Sequence, residues 1–134
     1  MASMSLRCAV SSLVISVLFL GCSDDECNLD QQTRDLARAG LTDCGFAEGQ
    51  NVQAAELCAR NANQMGQLFR VIRETSDGLE AFVRGDGGDY FLVRQQGEGD
   101  PIEQASCAGA SEVTDSDGTR IECDEPGAFE TVCK

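Results

Sequence analysis

The chain has 134 residues, 23 acidic against 10 basic side chains, eight cysteines, and neither histidine nor tryptophan. Without histidine it cannot by itself build a Ser-His-Asp triad, a Cys-His pair or a His-ligated metal site. A formal charge of −13 repels phosphate backbones, so nucleic acid is not an expected partner. The length suits one domain.

The N-terminal stretch differs from the rest. Residues 1–21 hold 14 apolar residues and a single charge, Arg7. Met1–Arg7 is short and weakly basic, Ala9–Leu20 is unbroken apolar or hydroxyl sequence, and Gly21-Cys22 follows. The run is about half of what a membrane-spanning helix needs. A basic start, a short apolar run and a small residue before a cut site read as a secretory signal peptide. Phe19-Leu20-Gly21-Cys22 resembles the lipobox of bacterial lipoproteins. Over residues 1–25 that resemblance implies removal of 1–21, diacylglyceryl transfer to the Cys22 thiol, and acylation of the new N-terminus with a chain such as palmitate. Ser23 after the modified cysteine is similar to family members exported to the outer membrane of Gram-negative bacteria. Two or more acyl chains would hold the protein stably on a bilayer. The expected layout is a signal peptide over 1–21, a lipidated Cys22 with a short acidic tether over 22–26, and a folded domain over 27–134.

Cleavage removes Cys8 and acylation occupies Cys22, leaving Cys27, Cys44, Cys58, Cys107, Cys123 and Cys133. An even number in an exported chain predicts three disulfides. No C-x-x-C occurs among them, which disfavours zinc and iron–sulfur sites. Six cysteines allow fifteen pairings. Cys107 and Cys123 lie symmetrically about Asp115 in the turn segment Thr114-Asp115-Ser116-Asp117-Gly118, which suggests a bridged hairpin. Residues 22–134 carry nine basic and 23 acidic groups, or −14, and only 23 large apolar side chains. Crosslinks would stabilise so modest a core.

Along the domain, Asp30–Ala39 reads as a first helix with a thin apolar stripe. Val52–Met65 reads as the main helix, with Ala55, Cys58, Ala59, Ala62 and Met65 on one face, Gln53, Glu56, Arg60 and Asn63 elsewhere, and Gly66 as its cap. Strands are predicted over Leu68–Arg73, Leu79–Arg84 and Tyr90–Arg94, separated by Ser76-Asp77-Gly78 and by Gly85–Asp89. Further strands are expected near Ala108–Val113 and Thr119–Cys123. The expectation is an α+β fold with one main helix on one face of an antiparallel sheet of four to five strands, stapled by about three disulfides. Cystatin-like domains share that element order. The cysteine, Phe and Asp-Gly pattern over 44–107 also resembles small cysteine-containing lipoproteins, a resemblance that implies no activity.

Chemistry is sparse. The only lysine, Lys134, is the last residue, so a serine nucleophile lacks a lysine base. Asp115-Ser116-Asp117-Gly118 resembles part of an EF-hand loop, but Val113 would fall at the first ligand position and Asp124 at the last. A looser calcium turn there, or at Asp86 and Asp89, is the alternative to plain turn chemistry. Arg70 and Arg84 could share a sheet face as a basic patch for an acidic partner, the alternative being exposed strand positions paired with Glu74 or Glu80. No cofactor, metal or catalytic residue is assigned. The expected function is a membrane-anchored, non-enzymatic envelope module, attached to the bilayer through Cys22, that binds an envelope protein or cell-wall component or has a structural role. The alternatives are a small hydrolase using two carboxylates, or a cystatin-like protease inhibitor.

Overall fold

The structure is a computed structural model that describes residues 27–37 and 40–134. The signal peptide, Cys22 and the acidic tether lie outside the described residues. Among the described residues, no helix is long and apolar enough to cross a membrane.

Helix α1 spans Leu29–Ala37. Asn28 caps it, its Oδ1 accepting from Asp30 N at 2.8 Å and Gln31 N at 3.3 Å. Leu29, Thr33 and Ala37 form its buried stripe, and the Thr33 hydroxyl donates back to Leu29 O. Strand β1 follows over Thr42–Ala47, then a 3-10 turn and helix α2 over Val52–Gln64. Helix α2 ends at Gly66, φ +72°, where Gln67 N–H reaches Ala62 O at 2.8 Å. Strands β2 (Phe69–Thr75), β3 (Gly78–Arg84) and β4 (Tyr90–Gln95) form the antiparallel meander that the turn signals predict. They continue into β5 (Ile102–Cys107), a hairpin of β6 (Gly109–Asp115) and β7 (Gly118–Asp124), and β8 (Glu130–Cys133).

The protein is α+β, as expected, but the finer architecture differs. The main sheet has six strands in the order β1-β2-β3-β4-β5-β8, and β6-β7 forms a separate two-stranded sheet. It is mixed, because β1 pairs with β2 in parallel. A parallel neighbour needs a crossover, and α2 supplies it. Both faces of the sheet are covered, so the expected one-faced arrangement does not hold. Ala55, Ala59 and Ala62 of α2, with Ile121 of the hairpin, pack on Phe69, Val71 and Phe82. Leu29 of α1 packs on the opposite face against Ile72, Ala81, Val83, Val93 and Ile102. The continuous buried run Phe69–Ile72 follows from this, since a strand covered on both sides cannot alternate. Met65, expected on the buried face of α2, is 69% exposed because it sits in the turn that ends the helix.

Six cysteines close three bridges: Cys27–Cys133, Cys44–Cys58 and Cys107–Cys123, with Cα separations of 5.5, 5.6 and 5.4 Å. The first ties the start of the described domain to β8, the second ties β1 to α2, and the third ties β5 to β7.

Candidate binding cleft

The two halves of the expected basic patch do not meet. Arg70 pairs across the sheet with Val83, whereas Arg84 pairs with Phe69. Alternation along the strands therefore sends the two arginines to opposite faces. The Arg84 guanidinium lies over the Tyr90 ring at 5.6 Å, and the Tyr90 hydroxyl bonds Asn63 Oδ1. Arg84 completes an aromatic row in which Phe82 meets Phe69 edge-on and stacks on Tyr90. Neither Glu74 nor Glu80 is the partner of Arg70.

Arg70 is instead buried, only 3% exposed, at the centre of a charge cluster. Its Nε and Nη2 donate to the two oxygens of Asp43 at 3.1 and 2.7 Å. Nη2 also meets Asp30 Oδ1 at 2.6 Å, and Nη1 donates to Thr33 Oγ1 at 2.7 Å and to Asp30 O at 3.2 Å. Arg34 donates to Asp30 Oδ2 at 2.9 Å and lies 3.6 Å from Asp43 Oδ2. Two acids and two bases thus neutralise one another where side chains of α1 meet Asp43 of β1 and Arg70 of β2. The hydrogen bond from Arg34, joined by Arg70, holds the Asp30 carboxyl below its ordinary range against the effect of burial. Arg70 does the same to Asp43, with help from the Gly45 N–H. Asp43 and Asp30 in turn raise the Arg70 guanidinium above its ordinary value.

This cluster forms one wall of a cleft of about 920 Å³. The other walls come from Phe46 at the end of β1, from Ile72 and Leu79, from the β4–β5 turn at Gln95–Gly99, and from Cys27 and Lys134. Gln95 fixes two of these walls, its Nε2 donating to Asp100 O at 2.8 Å and to Cys27 O at 3.3 Å. Phe46 stands at the rim, 44% exposed. The cleft lies within the size range of small-molecule sites. Both aspartates in its wall are held ionised by guanidinium groups, an arrangement suited to fixing shape and charge rather than to donating protons.

The remaining candidates lie in or beside turns. Asp115 pairs with Arg120 at 2.8 Å and accepts from Asp117 N at 2.9 Å, as turn chemistry requires. Arg120 also pairs with Glu122. Asp86 and Asp89 flank the β3–β4 turn, where Gly85 N–H bonds Asp89 O at 2.8 Å. Among the described residues, no group of three or more Cys, Asp or Glu is disposed to hold a metal ion.

No family model matches the chain, and no curated protein and no solved structure is found to be similar to it.

Proposed function

We propose that this protein is an exported lipoprotein, held on a bilayer through an acylated Cys22, whose 27–134 domain acts as a binding module. The observation that carries the reading is the complete pairing of the six cysteines beyond Cys22. Such pairing persists in oxidising compartments and is rare where thiols are kept reduced. The lipobox-like Phe19-Leu20-Gly21-Cys22 supplies the route out of the cytosol. The cleft supports a binding role, because it joins an apolar floor to a few fixed polar groups. Its paired aspartates suit recognition better than acid–base catalysis.

Intact mass of the membrane-extracted protein, before and after reduction, tests this reading. The expected species begins at Cys22, carries acyl chains and gains six hydrogens on reduction, as three disulfides require. Cys22→Ala should abolish the acyl mass. A full-length, unacylated chain with reduced thiols would overturn the reading.

A further inference from the structure

We infer that the cleft takes the headgroup and glycerol region of a zwitterionic phospholipid. The inference rests on the anchored reading above and deepens it by naming the ligand.

The first support is reach. Five residue steps separate Cys22 from Cys27, so the chain between them spans at most about 17 Å. Cys27 lines the cleft and is fixed to β8 by its bridge to Cys133. A diacylglyceryl group on Cys22 places its glycerol in the interfacial layer, roughly 5–7 Å deep on each side of the hydrocarbon core. The Cys27 wall therefore stays within about 17 Å of that layer, and phospholipid is the most concentrated ligand within this reach.

The second support is charge. Residues 27–134 carry 20 acids and nine bases. The cleft is lined by three of each: Asp30, Asp43 and Glu98 against Arg34, Arg70 and Lys134. The rest of the domain then holds 17 acidic against six basic side chains, so the charged side chains of the cleft balance one another on an anionic body. A strongly acidic surface repels anionic lipid, whereas a balanced site accepts a headgroup with both signs. Four of the six groups satisfy one another in the Arg70 cluster. Glu98 and Lys134 have no ion-pair partner among the described residues, and they offer one anion for an ammonium and one cation for a phosphate.

The third support is shape. Ile72 and Leu79 give an apolar floor, and Phe46 gives an exposed apolar rim where the glycerol and first methylenes would rest.

Photocrosslinking tests the proposal on the membrane-extracted protein reconstituted into vesicles. The probes are phosphatidylethanolamine and phosphatidylglycerol, each bearing a diazirine near the glycerol end of one acyl chain. Adducts should concentrate on peptides containing Phe46 and Leu79 rather than on the 109–124 hairpin, and phosphatidylethanolamine should exceed phosphatidylglycerol at equal mole fraction. Glu98→Lys should lower the cleft adducts about fivefold, the size of one exposed ion pair. Phe46→Asp should lower them about tenfold, as loss of a buried aromatic contact predicts. Both positions are exposed, and far-UV dichroism of the variants checks the fold. Adducts spread evenly over the domain, favoured by phosphatidylglycerol, or indifferent to both variants would overturn the proposal. Intact mass of the same preparation separates the two failures. Acylated protein without cleft adducts sinks the lipid site alone, while unacylated protein removes the reach argument and sinks both.

Discussion

Glu56 and Arg73 form a two-pronged ion pair between α2 and β2, with Nε–Oε2 at 2.7 Å and Nη2–Oε1 at 2.8 Å. Glu56 is 3% exposed, and Arg73 also donates to Ile121 O at 2.6 Å, so one guanidinium joins helix, sheet and hairpin. Removing one member of such a pair strands the other charge away from water. Arg73→Met should therefore cost about 3–5 kcal/mol. The double variant Glu56→Met with Arg73→Met should recover most of that loss, since two apolar side chains leave no orphaned charge. Urea unfolding of the four proteins of the cycle measures the coupling directly. Equal stability of the single and double variants would refute this account.

The Arg70 cluster makes a different prediction, because its members are unequally buried. The Arg70 side chain is 4% exposed, whereas those of Asp43 and Asp30 are 37% and 52% exposed. Asp43→Ala leaves a buried guanidinium with Asp30 as its remaining carboxylate, and should cost about 3 kcal/mol. Arg70→Met leaves carboxylates that water can reach, and should cost about 1 kcal/mol. The reverse order in chemical denaturation would show that the aspartates, not the arginine, are the groups isolated from solvent.

The same cluster sets an acid response. Asp30 and Asp43 both titrate below the ordinary carboxyl value of 3.8 in the folded protein. Depressed folded values give stability that is fully present above the unfolded value and is lost as pH falls through the folded ones. The advantage of wild type over Asp43→Asn should therefore be constant from neutral pH down to about 5 and shrink below about 4. Thermal melts between neutral pH and pH 2 measure it. A gap that widens on acidification would contradict the direction assigned to Asp43.

Much of the centre was legible in the sequence because local chemistry and tertiary packing agree there. Ser76-Asp77 and the Gly85–Asp89 segment mark the two turns of the β2–β3–β4 meander, and the small residues of α2 mark the face that meets the sheet. The elements that escaped are those whose stability is not local. Strand β1 is short, carries a register irregularity between Asp43 and Phe46, and is held by pairing with β2 and by Cys44–Cys58. Strands β5 and β8 are rich in polar residues and gain their order from β4 and from Cys27–Cys133. Glu56 and Arg70 looked like surface charges because their partners, Arg73 and Asp43, lie 17 and 27 positions away. The covering of both sheet faces did leave one signal, the unbroken apolar start of β2, which an alternating reading passes over.

Gly78 occupies a position that no side chain fits. Its φ is +137°, and a Cβ there would stand 2.4 Å from Gln95 O and 2.6 Å from Gln96 Cα. All of these are backbone atoms of the neighbouring strand end, which cannot rotate aside as a side-chain tip can. Gly78→Ala should cost about 3 kcal/mol through combined backbone strain and overpacking. It should also broaden amide signals of Leu79 and Gln95, which are paired across β3 and β4. Wild-type stability in that variant would contradict the close approach of the β3 start to the Gln95–Gln96 backbone.

The three disulfides should not contribute equally. Cys27–Cys133 closes 106 residues, whereas Cys44–Cys58 and Cys107–Cys123 close 14 and 16. If restriction of the unfolded chain dominates, the long bridge is worth about 4.7 kcal/mol and each short one about 3 kcal/mol. Paired serine substitutions at Cys27 and Cys133 should then lower the urea midpoint most. They also release the Cys27 wall of the cleft from β8, leaving it held by the Gln95 bond to Cys27 O and by the packing of Leu29. The Cys107 and Cys123 pair should be milder, because Ile121 still packs under α2 and Arg73 still holds its carbonyl. A larger loss at the hairpin than at the long bridge would reverse the argument. It would place the energy of these crosslinks in the native contacts that they enforce, not in the loops that they close.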